Sequence, residues 1–267
     1  MERRFAWRRK NRWLSGVHRT PTTLMPDATP RILLVTPVWN DSARLAGFGR
    51  ELARALADKG MSIRWVIADD GSAPAEHGRL TALRDQLAAI YPLVEVHFAA
   101  AHRGKGAVVR EAWALDAAAD WLAFVDADGS AATGDLLHMI EMAVAGGVSV
   151  LGVRKRTATT EVVETPWRGL AHRAFLRAVH LILGLRCEDP QCGAKVLKGP
   201  DYRRVAARLV EDGLAFDSEL LAVLNRSGAP WSEVAINWVE KRGGKVHPLR
   251  DAWGMLAALW RIRRRIR

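Results

Sequence analysis

The residues of this 267-residue chain whose types and spacing suit chemistry gather in a few short clusters. Asp126-Ala127-Asp128-Gly129-Ser130 follows an apolar run, and carboxylates two residues apart come close together if the chain turns there. Two hard oxygen ligands beside a phosphate are how Mg²⁺ or Mn²⁺ is commonly held, with substrate and water completing the shell. Asp126, Asp128 and Ser130 are therefore the candidate metal set. The same residues would equally serve as a helix N-cap, a position that Asp and Ser favour whatever the function. Asp69-Asp70-Gly71-Ser72 is a second acidic cluster, and four carboxylates sharing one crevice would repel one another without a cation or a basic ligand. His102-Arg103-Gly104-Lys105-Gly106 has the form of a phosphate-approach loop: Lys105 brings charge, and the two glycines let the backbone come close. It lacks the spacing and terminal Ser/Thr of a Walker A loop. The glycine pattern of dinucleotide-binding dehydrogenases and the GxSxG of serine hydrolases do not occur.

These clusters need elements to position them. Apolar runs at 32–38, 63–68, 94–98, 121–125 and 148–153 predict buried strands. Segments of helical period separate them, with Leu45, Phe48, Leu52 and Leu56 on one face, then Leu80, Leu83, Leu87 and Ile90, then a helix over 106–119. Strand alternating with helix predicts an α/β fold with a doubly wound, mostly parallel sheet. Such sheets bind ligands at the carboxyl ends of their strands, and each polar cluster falls at such an end, including Pro37-Val38-Trp39-Asn40-Asp41 after the first strand. Beyond residue 155 the alternation gives way to a basic helical segment over about 166–185 and then a mixed region.

Composition bounds the class. With 49% hydrophobic and 26% charged residues the chain buries a real core, which excludes disordered, collagen-like and disulfide-stapled classes. The expected organisation is a basic, Trp-rich arm over 1–30, one domain over 31–247 and a basic amphipathic helix over 248–267. Within the domain, 31–155 is the nucleotide half and 156–247 the acceptor half. The net charge of +11 resides at the ends: residues 1–30 carry 7 Lys/Arg against 2 Asp/Glu, residues 241–267 carry 9 against 1, and the middle carries 24 against 26. Trp7, Trp13, Trp253 and Trp260 stand among these basic residues, a composition suited to an anionic membrane surface. Nucleic acid is not an expected partner, because the crevice is acidic. No stretch approaches the roughly 20 apolar residues of a spanning helix, and the N-terminus lacks the apolar core of a secretory signal. Cys187 and Cys192 suit neither a zinc site nor a disulfide framework. The expected location is cytoplasmic, peripheral on the inner face of the cell membrane.

The order TPVWND, VIADDGS, HRGKGAVVREAW, FVDADGS resembles the family 2 glycosyltransferases of GT-A fold, which use nucleotide-diphosphate sugars. DPQCGAKVLKG, AFDSELL and NWVEKRGGKV are similar to the dolichyl-phosphate β-glucosyltransferase branch, which moves glucose from UDP-glucose to a polyprenyl phosphate with inversion. The resemblance implies a Rossmann-like, mostly parallel sheet flanked by helices, with a helical acceptor-side region. It implies that Pro37, Trp39 and Asp41 line the nucleoside site and that Asp69 or Asp70 reads the uracil. Asp126, with Ala127 beside it, would lie by ribose and metal, and Asp128 would coordinate a Mg²⁺ or Mn²⁺ on the diphosphate. Arg154 and Lys245 would bind phosphate. Asp217 and Glu219 would position donor or acceptor, with Asp217 as a possible base; both also suit the first turn of a helix, where acids favour the macrodipole. The chain departs from the family pattern at Trp39, where Tyr is usual, at Asp41, where Glu is usual, and at Asp189-Pro190, where Asp-Thr is usual.

Charge favours a phosphate acceptor. A sugar hydroxyl must lose a proton as it attacks, whereas a phosphomonoester with a second pKa of about 6 arrives mostly ionised and needs positive surroundings instead of a base. Arg154, Lys155, Arg156, Arg168, His172, Arg173 and Arg177 are the candidate positive groups, close to apolar Trp167, Leu170, Phe175, Leu176 and Val179. Two other readings fit the same residues: a GT-A enzyme acting on a soluble or polysaccharide acceptor, and a non-catalytic nucleotide-sugar-binding protein at the membrane surface.

Overall fold

The computed structural model describes residues 29–241 and 248–266. Five strands appear where the apolar runs predict them: β1 (Ile32–Val38), β2 (Ile63–Asp69), β3 (Val94–Phe98), β4 (Trp121–Val125) and β5 (Ser149–Val153). Every residue of β4 and β5 is buried, as befits strands covered on both faces. Between them run α1 (Ser42–Asp58), α2 (Pro74–Ala88), α3 (Lys105–Ala114) and α4 (Thr133–Gly146). α3 stops five residues short of the predicted end. Beyond it Asp116 turns back, accepting the Ala118 N–H and pairing with Arg31 at the foot of β1.

The second half holds β6 (Val162–Val163), α5 (Pro166–Leu183), β7 (Ala194–Lys198), α6 (Gly199–Val205), α7 (Phe216–Arg226), β8 (Trp231–Ala235), β9 (Trp238–Val239) and α8 (Pro248–Arg265). The main sheet has seven strands in the order β3-β2-β1-β4-β7-β5-β8. It is parallel except for β7, which runs antiparallel between β4 and β5. α1, α2 and α4 bury their apolar stripes on one face, while α3, α5, α6, α7 and α8 cover the other. β6 and β9 form a small parallel pair, tied to the loop after β4 by a bridge from Trp238 to Ala131.

Two consequences of this topology position the site. β1 has β2 on one side and β4 on the other, so the connections diverge and leave a crevice at their carboxyl ends. The antiparallel β7 pairs Ala194 with Val125, which sets the segment 189–193 directly beside the acidic turn 126–130.

Candidate active site

A cavity of about 720 Å³ opens along these strand ends. At one end Trp39, held on the loop after β1, stacks on the His102 ring with centroids 4.0 Å apart. Asp70 organises the wall there: its carboxylate accepts the Arg103 N–H at 2.9 Å and the Gly104 N–H at 2.8 Å, and lies 2.8 Å from His102 Nδ1. Gly104 has φ +119°, and a side chain there would meet the Asp212 carbonyl at 2.6 Å, so the loop takes this path only with glycine. Pro37 and Asp41 line the same end, with Asp41 bound to Arg44 one turn further into α1.

The centre is a chain of alternating charges. Lys105, at the start of α3, places Nζ 2.8 Å from Asp126 and 3.2 Å from Asp217. Asp217 in turn lies 2.8 Å from Nζ of Lys195, a side chain with no exposed surface that also donates to the Cys192 carbonyl. Burial works against charge on Lys105, yet Asp126 and Asp217 together hold its pKa above the ordinary value. Burial likewise opposes ionisation of Asp217, and the two lysines outweigh it, leaving that carboxyl below its usual range. Asp126 goes the other way: burial raises it, Lys105 opposes, and the neighbouring charge of Asp128 raises it further. Asp128 accepts the Ser130 N–H at 2.9 Å and lies 3.9 Å from Arg44. A Cβ at Gly193 would sit 2.0 Å from Asp126 Oδ2, so glycine alone leaves that carboxylate its place.

At the other end, Arg154 at the close of β5 is clamped by Asp189 through Nε at 2.7 Å and Nη2 at 2.8 Å, and lies over the Trp238 ring at 5.1 Å. Ala171, His172 and Phe175 of α5, Met255 of α8, and Trp238 line the cavity with it, together with the polar side chains of Glu164, Gln191, Glu240 and Lys241. Burial holds the Cys192 thiol up at about 12, aided by Asp189, so this cysteine packs and does not act as a nucleophile.

Several expectations change on contact with the structure. Pro37, Trp39, Asp41, Asp70, Lys105, Asp126, Ala127, Asp128, Ser130, Arg154 and Asp217 share the one cavity, but Asp69 does not line it. Asp69 is buried behind the wall, accepting the Ser72 N–H and hydroxyl. The four carboxylates of the two acidic clusters therefore do not converge: amide donors satisfy Asp69 and Asp70, and no group of three or more His, Cys, Asp or Glu side chains able to hold a metal exists among the described residues. Glu219 is not among the residues lining the cavity; it is fully buried, caps the Val210 and Glu211 N–H groups and meets Arg265 at 2.8 Å. His172 contributes no positive charge at neutral pH, because burial lowers its pKa and Arg154 adds to that against the pull of Asp189. Lys245 lies outside the described residues. Sequence reasoning did not assign Arg44, Gln191 or the buried Lys195 a role; a lysine inside the apolar strand AKVLK was the one available signal for the last.

Asp126 and Asp128 fit a divalent cation by donor chemistry. Both carboxylates line the cavity, burial and then the charge of Asp128 raise Asp126, and with Lys105 on Oδ1 of Asp126 the absence of a side chain at Gly193 leaves room for its Oδ2. Two protein carboxylates leave the remaining positions to substrate and water, as Mg²⁺ and Mn²⁺ prefer.

The family model described as glycosyl transferase family 2 matches residues 34–194. The chain is 28% identical to the dolichyl-phosphate beta-glucosyltransferase of Dictyostelium discoideum over 86% of this chain and 73% of the relative. It is 27% identical to the Drosophila melanogaster protein of the same name over 80% and 69%. Among solved structures it superposes on glucosyl-3-phosphoglycerate synthase from Mycobacterium tuberculosis, in complex with Mn²⁺, UDP and glucosyl-3-phosphoglycerate, with a TM-score of 0.60 at 17% identity, covering 87% of this chain and 78% of that one. Mannosyl-3-phosphoglycerate synthase from Rubrobacter xylanophilus gives a TM-score of 0.63 at 19% identity over 88% and 73%. The matched segment runs from within β1 to the first residue of β7 and takes in the acidic turn, the Lys105 loop and Arg154, so the chain belongs to glycosyl transferase family 2 and is a GT-A-fold glycosyltransferase similar to the dolichyl-phosphate β-glucosyltransferases.

Proposed function

We propose that this glycosyltransferase moves a hexose, glucose first among candidates, from a UDP-sugar to a polyprenyl phosphate at the inner face of a membrane, with inversion. The observation that carries the reading is the single cavity that runs from the Trp39–His102 and Asp70 end, past Lys105 and the two aspartates, to Arg154, where Phe175, Trp238 and Met255 line it together with Glu164 and Glu240. Residues 31–155 would hold the donor and 156–247 the acceptor. Pro37, Trp39, Asp41 and Asp70 would seat the nucleoside, and Lys105 would lie along the diphosphate, its charge secured by Asp126 and Asp217. Asp126 and Asp128 would hold Mg²⁺ or Mn²⁺, which when bound supplies positive charge to the departing diphosphate. Arg154, steadied by Asp189, would face the acceptor phosphate while Phe175 and Met255 contact its hydrocarbon. That phosphate arrives ionised, so no residue need remove a proton. Asp217, kept ionised between two lysines, serves as a charge anchor in this scheme and not as a base.

The test is transfer from radiolabelled UDP-glucose to undecaprenyl phosphate in detergent, with Mn²⁺, with Mg²⁺ and with EDTA, and with 3-phosphoglycerate as the alternative acceptor. Label entering the organic phase with metal and not with EDTA is expected. Asp128→Ala should lower the rate at least about 10²–10³-fold in a protein that still folds. Label on 3-phosphoglycerate with none on lipid would overturn the lipid acceptor, and full activity of a folded Asp128→Ala protein would remove Asp128 from the site.

A further inference from the structure

The three most exposed large apolar side chains among the described residues are Leu181, Trp253 and Trp260, at 83%, 79% and 56%, and all stand on α5 and α8. These two helices pack against each other, and their inner faces, Val179 and Leu183 on α5 and Ala258, Leu259 and Ile262 on α8, join one core cluster. Their outer faces repeat one pattern. On α5, Leu170, Ala174, Arg177 and Leu181 follow i, i+4, i+7, i+11 spacing, and on α8, Trp253, Ala257, Trp260 and Arg264 follow the same spacing. At about 100° per residue each set falls within one narrow stripe, and all eight residues are exposed.

Charge and chemistry say what covers these stripes. α5 carries three arginines and no acidic residue, and α8 carries five arginines and one aspartate. On the two stripes themselves the charges are Arg177 and Arg264 with no carboxylate, so a second copy of the chain docking symmetrically through this face would bring arginines together with no acidic partner. Trp, Leu and Arg together on an exposed helical face suit the boundary between anionic headgroups and acyl chains. No helix among the described residues is long and apolar enough to cross a membrane, so the contact would lie along the surface.

We infer that the outer faces of α5 and α8 form the surface by which this protein lies on an anionic bilayer, with Leu170, Leu181, Trp253 and Trp260 entering the interface and Arg177 and Arg264 meeting the headgroups. The inference deepens the proposed function and rests on it for the identity of the acceptor. The same two helices wall the Arg154 end of the cavity, through Ala171, His172 and Phe175 close in sequence to Leu170 and through Met255 close to Trp253. Docking on this face sets the mouth of the acceptor end at headgroup level. A lipid-borne phosphate then reaches Arg154 while its chain stays in contact with the bilayer.

The experiment is flotation of the full chain with vesicles of phosphatidylcholine alone and of phosphatidylcholine with about 30% phosphatidylglycerol. It compares the native protein with the triple variant Leu181→Ser, Trp253→Ser, Trp260→Ser and with the double variant Arg177→Gln, Arg264→Gln. None of these side chains lines the cavity, so melting temperature and UDP-glucose binding should be unchanged. The native protein should float with the anionic vesicles, the triple variant should partition at least about tenfold less, and the double variant should lose the preference for anionic lipid. Flotation of the triple variant equal to that of the native protein overturns the inference. So does a native dimer, seen by sedimentation equilibrium, that the triple variant abolishes without any change in flotation. Transfer to a short, detergent-dispersed prenyl phosphate should survive the triple substitution while transfer to vesicle-embedded acceptor falls. If the native protein floats but glycosylates no prenyl phosphate, the acceptor reading fails and the docking surface stands.

Discussion

Lys195 has no exposed surface and sits within a sheet strand, where an uncompensated charge would cost several kcal/mol. Asp217 and the Cys192 carbonyl compensate it, and Asp217 is shared with Lys105 at the cavity wall. The buried pair thus fixes the carboxylate that steadies a cationic group lining the cavity. Asp217→Leu should lower the free energy of unfolding by about 3–5 kcal/mol, because it strands Lys195. Lys195→Met should cost less, since Lys105 still partners Asp217, and the double variant should cost clearly less than the sum of the two. Urea denaturation of the three variants measures this; additive costs would show that the two charges do not depend on each other.

α8 is latched to the rest of the protein by its final arginines. Arg261 and Arg265 both reach Glu211 at 2.7 Å, and Arg265 also reaches the buried Glu219 at 2.8 Å. Glu219 caps the backbone of Val210 and Glu211, and the next residue, Asp212, accepts from Ala107 of α3 and lies under Gly104. The latch therefore leads directly to the Lys105 loop. Burial raises the Glu211 carboxyl, but Arg261 and Arg265 outweigh it and hold the pKa below its ordinary 4.5. A carboxyl depressed in the folded state contributes stability above its ordinary value and loses it as the pH falls through the folded value. Hydrogen-exchange protection of α8 should accordingly stay level from neutral pH down to about 5 and fall below that, and Glu211→Gln should flatten the fall. Arg265→Ala should cost about 2 kcal/mol, less than a fully buried pair because this arginine is 35% exposed. A pH profile for α8 identical in Glu211→Gln and the native protein would assign the acid sensitivity elsewhere.

At the scale of the whole molecule, the polar site lies between elements drawn from both halves of the chain, so ligand at the site should stabilise the entire domain. Binding to the native state alone, at a hundredfold excess over the dissociation constant, adds about 2.7 kcal/mol. For a chain of this size that corresponds to a rise in Tm of about 5–10 °C. UDP with Mn²⁺ should produce such a rise, and UDP with EDTA a distinctly smaller one, in a thermal melt followed by circular dichroism. Equal shifts with and without metal would mean that Asp126 and Asp128 do not link a cation to the diphosphate. With UDP and Mn²⁺ the Asp128→Ala protein should show only the smaller rise that the native protein shows with UDP and EDTA.

Local pattern determined a good deal by itself. Apolar runs of five to seven residues, each leading into a polar cluster, marked β1, β2, β3 and β4 and put Pro37, Asp70, Lys105, Asp126 and Asp128 at the carboxyl edge of a sheet. Hydrophobic periodicity and turn residues act over a few neighbours, so they are legible in a linear string. What they do not carry is which distant segment lies alongside. The antiparallel entry of β7 between β4 and β5, which brings Gly193 against Asp126 and Asp189 against Arg154, follows from the order of strands in the sheet. The same holds for Lys105 on Asp217 and for the latch of Arg265 on Glu219. The direction of the acidic side chains was likewise decided only in three dimensions: Asp69 and Asp70 look alike in sequence to Asp126 and Asp128, yet amide groups from the loops around them take up their charge. Ion pairs and hydrogen bonds depend on distance in space, and only the packed fold sets that distance.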